Sequence, residues 1–154
     1  MNRWIKLIAS VLICLAAGLI GSIFTTPSIP TWYASLSKPS FAPPNWVFGP
    51  VWTTLYILMG ISLYLILNKG LKNVRMQVIV FGIQLVLNAV WSFLFFGLQS
   101  LLYGLVGIIL LWISIVITIF SFFKVSRKAS FLLIPYIAWV SFATIANYYL
   151  LILN

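Results

Sequence analysis

The sequence predicts an all-α membrane protein, a bundle of five transmembrane helices with a structured loop, rich in proline and tryptophan, between the first two. Hydrophobic residues make up 64% of the 154 positions and charged residues only 6%, a ratio that a soluble domain cannot carry without exposing large apolar patches. The nine Lys and Arg leave uncharged runs at 7–37, 39–68, 76–123 and 129–154. One crossing takes ~20 residues, so the third run holds two. Apolar residues follow one another without alternation, which argues against a β-barrel. The chain, 1–154, reads as a single membrane domain with helices at about 4–25, 46–67, 75–97, 101–123 and 129–152.

Helix 1 opens behind Arg3 and Lys6 and stays apolar to Phe24. A signal peptide has similar flanks, but its apolar region is ~7–15 residues long, shorter than this one. Cys14 is alone and mid-helix, so it forms no intramolecular disulfide and reads as a small packing residue. The pairs Ala17/Gly21 and Gly18/Ser22 suit close helix contact or dimerisation.

Residues 26–45 form the loop. Pro39, Pro43 and Pro44, with Pro50 beyond, fix φ and restrict the residues before them, which keeps the segment ordered at low entropic cost. Trp32, Tyr33 and Phe41 supply apolar surface that folds back over the bundle mouth as a lid. Asn45 is the expected N-cap of helix 2, whose first turns tolerate Gly49 and Pro50. On helix 2, Trp52, Tyr56 and Gly60 recur every four residues, with Gly60 open to close approach by a helix or a ligand.

Helix 3 places Gln84, Asn88, Ser92 and Phe95 at spacings of four, four and three, with Trp91 beside them, all on one face. An amide turned toward lipid goes unsatisfied at several kcal/mol, so this face looks into the bundle. It is either interhelical glue or a cavity wall. The break before helix 4 falls in "FGLQSLLYG", where Gly97, Gln99, Ser100 and Gly104 offer turn chemistry. On helix 5, Pro135, Trp139, Ala143 and Asn147 recur every four residues. Pro135 lacks an N–H and should kink the helix near its start. Trp4, Trp32 and Trp46 suit an interfacial belt, whereas Trp52, Trp91 and Trp139 have small or polar neighbours on their own faces.

Charge orients the bundle. Five crossings put Arg3, Lys6, Lys69, Lys72, Arg75, Lys124, Arg127 and Lys128 on one side and leave only Lys38 on the other. The positive-inside rule makes the N-terminus cytoplasmic and turns the 26–45 loop and the C-terminus outward. Topology thus accounts for the basic balance without a nucleic-acid partner. No Asp, Glu or His occurs, which excludes paired-carboxylate catalysis, Ser-His-Asp chemistry, His or carboxylate metal sites and carboxylate proton relays. No metal site and no required cofactor is expected. A ligand must be held by aromatic faces, amides, hydroxyls, backbone groups or a lysine, which suits a flat apolar molecule.

The stretch "WYASLSKPSFAPPNWVFGPVWTTLYILMG" resembles the loop 1 and helix 2 signature of the TspO/MBR family, the translocator or tryptophan-rich sensory proteins, also called peripheral-type benzodiazepine receptors. "QLVLNAVWSFLFFG" and "IPYIAWVSFATIANYY" continue the likeness on helices 3 and 5. The resemblance implies a five-helix bundle, usually a homodimer, in this case a bacterial cytoplasmic-membrane protein, with a pocket under loop 1 that binds porphyrins such as protoporphyrin IX. It carries the pocket onto Tyr33, Pro43 and Pro44, onto Trp52 and Tyr56, onto Asn88, Trp91 and Ser92, and onto Trp139, Ala143 and Asn147. Lys38 stands where it can meet a porphyrin propionate. The implied function is porphyrin sensing, sequestration or transport. One alternative is light-dependent porphyrin breakdown, with Trp52 and Trp139 as its photochemical residues. The other is a structural or regulatory membrane component without a ligand. Animal members end in a cholesterol-recognition pattern, from which "ATIANYYLLILN" departs at Ala146 and in lacking a basic residue; such patterns are weak even when complete, and sterol transport is not expected.

Overall fold

A computed structural model describes residues 2–154. Helix α1 spans Arg3–Ser28 and continues through a π-helical turn, Ile29–Tyr33. A 3₁₀ turn, Asn45–Val47, leads into α2, Phe48–Leu67. Helix α3 covers Arg75–Ser92 and ends in a second π-helical turn, Phe93–Gly97. Then come α4, Leu101–Phe123, a short α5, Arg127–Phe131, and α6, Ile134–Leu153. Five segments are long and apolar enough to cross a membrane: Arg3–Tyr33, Asn45–Leu67, Arg75–Gly97, Leu101–Phe123 and Arg127–Leu153.

Three local expectations change. Helix 1 does not stop at residue 25 but runs to Tyr33, past Pro27 and Pro30. Neither proline has an N–H, so the carbonyls of Ile23 and Thr26 lose their usual i+4 donors, and the helix nevertheless continues, as prolines are tolerated in membrane helices; Thr31 Oγ1 adds a separate bond to the Pro27 carbonyl at 2.8 Å. The loop therefore shrinks to 34–44, and Tyr33 belongs to the helix end. Asn45 makes no capping bond and is itself the first residue of the 3₁₀ turn, after Pro44. Gly104 lies within α4 and serves packing: a Cβ there would stand 2.5 Å from Phe95 Cδ2. The turn itself uses Gln99, at φ 53°, and Ser100, whose hydroxyl accepts from Tyr103 N at 3.1 Å.

The fifth span breaks at Leu132 and Leu133, and Pro135 sits in the first turn of α6, as a residue without an N–H dictates. Helix α1 packs on α2 and α3, α3 on α4, and α4 on α5 and α6, while α2 meets the fifth span chiefly through α5. Cys14 is fully buried. Two small residues of α1 face neighbours within the chain: Gly18 the Tyr56 ring and Gly21 Ser92 Oγ.

Loop 1 is held down at two points. Asn154 pairs with Ser37 twice, accepting from its N–H at 3.0 Å and donating to its carbonyl at 2.9 Å. Phe41 packs edge-on against Phe142 and Tyr149, with centroids 5.9 and 5.4 Å away. Loop 1 thus folds back over the bundle mouth, held by Phe142 and Tyr149 of α6 and by Asn154 just after it.

Candidate functional site

The polar stripe of α3 divides by depth. In its first part Gln84 and Asn88 are glue, with almost no exposed surface. The Tyr56 hydroxyl donates to Asn88 Oδ1. Asn88 Nδ2 donates to the Tyr136 hydroxyl at 2.8 Å, and that hydroxyl donates to Gln84 Oε1 at 2.8 Å. Gln84 Nε2 points to Met59 Sδ at 3.8 Å. This chain joins α2, α3 and α6 and satisfies amides that lipid could not.

Toward loop 1 the same face becomes a cavity wall. An inner chamber of about 40 Å³ lies under the loop, bounded by Tyr33, Pro39, Ala42 and Pro43 above, by Phe48, Trp52, Trp91, Phe95 and Phe96 at the sides, and by Trp139, Phe142, Ala143, Ala146, Asn147 and Leu150 from α6. A lateral chamber of about 390 Å³ opens between α1 and α2 and is lined by Gly18, Ser22, Thr25, Phe48, Trp52, Tyr56, Trp91, Ser92 and Phe96, among others. Phe48, Trp52, Trp91 and Phe96 line both chambers and form the partition between them.

The partition is continuous aromatic surface. Trp52 lies 6.0 Å from Trp91 and 5.7 Å from Tyr56 between centroids, at tilts of 33° and 30°. Trp91 stacks on Phe95 at 5.7 Å and 20°, and Phe48 meets Trp139 at 6.3 Å. Such pairs add ~0.5–1.5 kcal/mol each beyond burial. The two π-helical turns present Tyr33 and the Phe95–Phe96 pair to the inner chamber, consistent with the frequent placement of π-bulges at functional sites.

Three polar atoms around the inner chamber are buried without a hydrogen-bond partner: Trp91 Nε1, Trp139 Nε1 and Asn147 Oδ1. Two indole donors and one amide acceptor are thus unspent in an otherwise apolar space. Asn147 uses its Nδ2 on the Ala143 carbonyl at 2.8 Å, which fixes the amide with its oxygen free. Lys38 places Nζ 4.7 Å from the Tyr33 ring centroid and bonds the Leu36 carbonyl at 3.2 Å, at the rim of the lid. Among the described residues no group of three or more His, Cys, Asp or Glu could hold a metal ion.

The residues singled out in the sequence therefore do not converge on one space. Tyr33, Pro43, Trp139, Ala143 and Asn147 line the inner chamber, Tyr56 and Ser92 the lateral one, and Trp52 and Trp91 both. Asn88 lies in the network beneath them, and Pro44 is exposed before the 3₁₀ turn. Sequence reasoning missed Phe48, Phe96 and the wall that α1 contributes. The α1 wall had a signal, since Gly18, Ser22, Thr25 and Thr26 follow helical spacing. Trp32, expected at the interface, instead packs edge-on against Phe95 at 5.3 Å.

Comparison with known proteins agrees with this architecture. A family profile described as TspO/MBR family matches residues 10–153. The chain is 50% identical over 157 residues to "Tryptophan-rich protein TspO" of Chlorobaculum tepidum, covering 100% of this chain and 99% of the relative. It is 50% identical over 150 residues to the protein of the same name from Archaeoglobus fulgidus, covering 97% of each. It is 39% identical over 132 residues to "Translocator protein" of Homo sapiens, covering 84% of this chain and 78% of the relative. With five membrane-spanning segments, an aromatic partition under a latched loop, and these likenesses along nearly its whole length, the chain is an integral membrane protein and belongs to the TspO/MBR family.

Proposed function

We propose that this membrane protein binds a tetrapyrrole of the protoporphyrin IX type and acts in porphyrin sensing, sequestration or transport. The observation that carries this is the inner chamber: an aromatic space with two unspent indole N–H groups and an unspent amide oxygen. Aromatic faces hold a flat ring by stacking, the indoles donate to its polar atoms, and Lys38 at the rim meets a carboxylate side chain. No cofactor is required, and the tetrapyrrole is held without an axial ligand.

At about 40 Å³ the chamber is small. It has room for about one water, whose share of liquid volume is ~30 Å³, whereas ligand pockets run to ~300–1,000 Å³. Binding therefore requires loop 1 to lift, and the Asn154–Ser37 latch and the Phe41 contacts are what must release. Double replacement Trp52→Phe/Trp139→Phe removes two indoles from the chamber wall, one of them, Trp139, with an unspent N–H. Protoporphyrin IX affinity should fall by at least about tenfold, the worth of ~1.4 kcal/mol. Unchanged affinity and photochemistry would remove these residues from the site.

A second reading, light-dependent breakdown of the same ligand, is favoured by the aromatic path from Trp52 to Trp91 at 6.0 Å and to Tyr136 at 6.4 Å. Illumination of the complex in oxygen separates the two: a new absorbing product supports turnover, and a stable spectrum supports a binder. The orientation that goes with this proposal places the N-terminus in the cytoplasm of a bacterial cell, and loop 1 and the C-terminus outside, on the strength of the eight cations at one end. A homodimer is part of the same proposal, supported by the family resemblance; a monomeric mass in native lipid discs would count against it.

A further inference from the structure

The two ends of the bundle differ in charge. Eight of the nine cations stand at the end away from loop 1, at the start of α1, between α2 and α3, and between α4 and α6. No Asp or Glu occurs in the chain, so no acidic side chain of its own pairs with them. The apolar spans begin or stop at these three segments, which puts the charge at the depth of lipid headgroups.

Of the three segments, the one between α4 and α6 is the most firmly built. Helix α5 is clamped from both sides: Ser62 of α2 donates its hydroxyl to the Ala129 carbonyl at 2.7 Å, and Ser130 donates its own to the Ile119 carbonyl of α4 at 2.9 Å. Ser126 Oγ fixes the turn before it, accepting from Ala129 N at 3.2 Å. Ala129 and Ser130 are buried, and Arg127, Lys128 and Phe131 are exposed on the opposite side of the helix. Arg127 lies four residues from Phe123 and four from Phe131. Its guanidinium carbon stands 5.4 Å from the Phe123 ring centroid, and that ring stands 6.3 Å from Phe131. A guanidinium held over a ring face keeps its in-plane N–H donors for an anion.

This arrangement selects an occupant with two parts. Arg127, with Lys124 and Lys128 exposed beside it, suits a phosphate. Phe123 and Phe131, 44% and 59% exposed, suit an apolar chain. A soluble phosphate meets only the first need, and a zwitterionic lipid brings a cation of its own.

We propose that this cluster is a binding site for an anionic phospholipid of the leaflet at the cation-bearing end. Arg127, Lys124 and Lys128 hold the phosphate, and an acyl chain lies against Phe123 and Phe131. The site is at the far end of the bundle from loop 1 and independent of the tetrapyrrole reading.

The test titrates the full chain, in mild detergent, with phosphatidylglycerol or with phosphatidylcholine of the same acyl chains, and counts lipid-bound species by native mass spectrometry. Phosphatidylglycerol should bind at least about tenfold more tightly, since each cation near an anionic headgroup is worth about fivefold. Lys124→Gln/Arg127→Gln/Lys128→Gln should cut that preference to about twofold or less, whereas Arg3→Gln/Lys69→Gln/Lys72→Gln, which removes the same charge elsewhere at this end, should retain at least about fivefold. Phe123→Ala/Phe131→Ala leaves the charge untouched and should weaken phosphatidylglycerol at least about threefold. Every substituted side chain is exposed, so the fold is kept. Equal binding of the two lipids overturns the proposal. Equal losses in the two triple variants overturn it too, since they mark a diffuse field rather than a site. Displacement of the lipid by glycerol 3-phosphate would make this a soluble-phosphate site, and displacement by polyglutamate an acidic-protein surface; either result overturns the lipid assignment.

Discussion

Replacing Asn88 by leucine tests the buried network more sharply than any other single change. Asn88 accepts from the Tyr56 hydroxyl and donates to Tyr136 at 2.8 Å, and it is 1% exposed. Leucine is of similar size, so little cavity forms and the loss is polar. Two interhelical hydrogen bonds disappear, each worth about 0.6–1.7 kcal/mol in a bilayer. The Tyr56 hydroxyl is also stranded, at about 1–3 kcal/mol, whereas Tyr136 keeps its bond to Gln84 at 2.8 Å. The expected total is about 2–6 kcal/mol. Tyr56→Phe removes the group that is stranded, so the double variant Tyr56→Phe/Asn88→Leu should be less destabilised than the sum of the singles by about 1–3 kcal/mol. Reversible unfolding in mild detergent, followed by tryptophan fluorescence, gives all three values. Additivity within about 0.5 kcal/mol would refute the coupling, and with it the assignment of this half of the α3 face to structure.

Gly60→Ala should lower stability by about 1–3 kcal/mol, because the new Cβ would meet Val11 backbone that cannot yield; Gly49→Ala, a helical position facing open space, should instead raise it by about 0.4–1 kcal/mol in the same melt. Asn154→Ala removes both bonds to Ser37 and should speed amide exchange across residues 34–44 and raise the porphyrin association rate, with the unfolding midpoint little changed; an unaltered association rate would show that the latch does not gate entry. Lys38→Gln should weaken protoporphyrin IX by about two- to fivefold, the scale of an exposed ion pair, and leave its dimethyl ester unaffected; an equal loss for acid and ester would exclude a propionate contact.

Much of this architecture was legible in the residues. Helix number followed from the charge-free runs, and the bounds of α2 to α4 followed from where Lys, Arg and the FGLQS turn interrupt them. The α3 face was legible as buried because Gln84 and Asn88 cannot face lipid. Its division into glue and cavity wall was not, because that depends on whether a tyrosine from another helix reaches each amide. Tyr56 and Tyr136 reach Asn88; among the described residues no tyrosine bonds Ser92, which Gly21 faces instead. The extension of α1 past Pro27 and Pro30 was hidden because a proline, which ends most helices in water, is tolerated inside a membrane helix. The two π-helical turns leave no signal in composition. The separation into two chambers depends on how α1 packs on α2, where Gly60 meets Val11 and Gly18 meets Tyr56, and contacts across 49 and 38 positions have no local signature.

The central claim is that the aromatic space under loop 1 is a binding site, and titration of the wild-type protein with protoporphyrin IX in the dark, followed by quenching of tryptophan fluorescence, addresses it most directly. The account predicts saturation at about one porphyrin per chain, as one chamber implies, with the quenching halved or less in Trp52→Phe/Trp139→Phe. Quenching that rises without saturating, and equally in the double variant, would contradict it and leave the latched loop covering packed side chains alone.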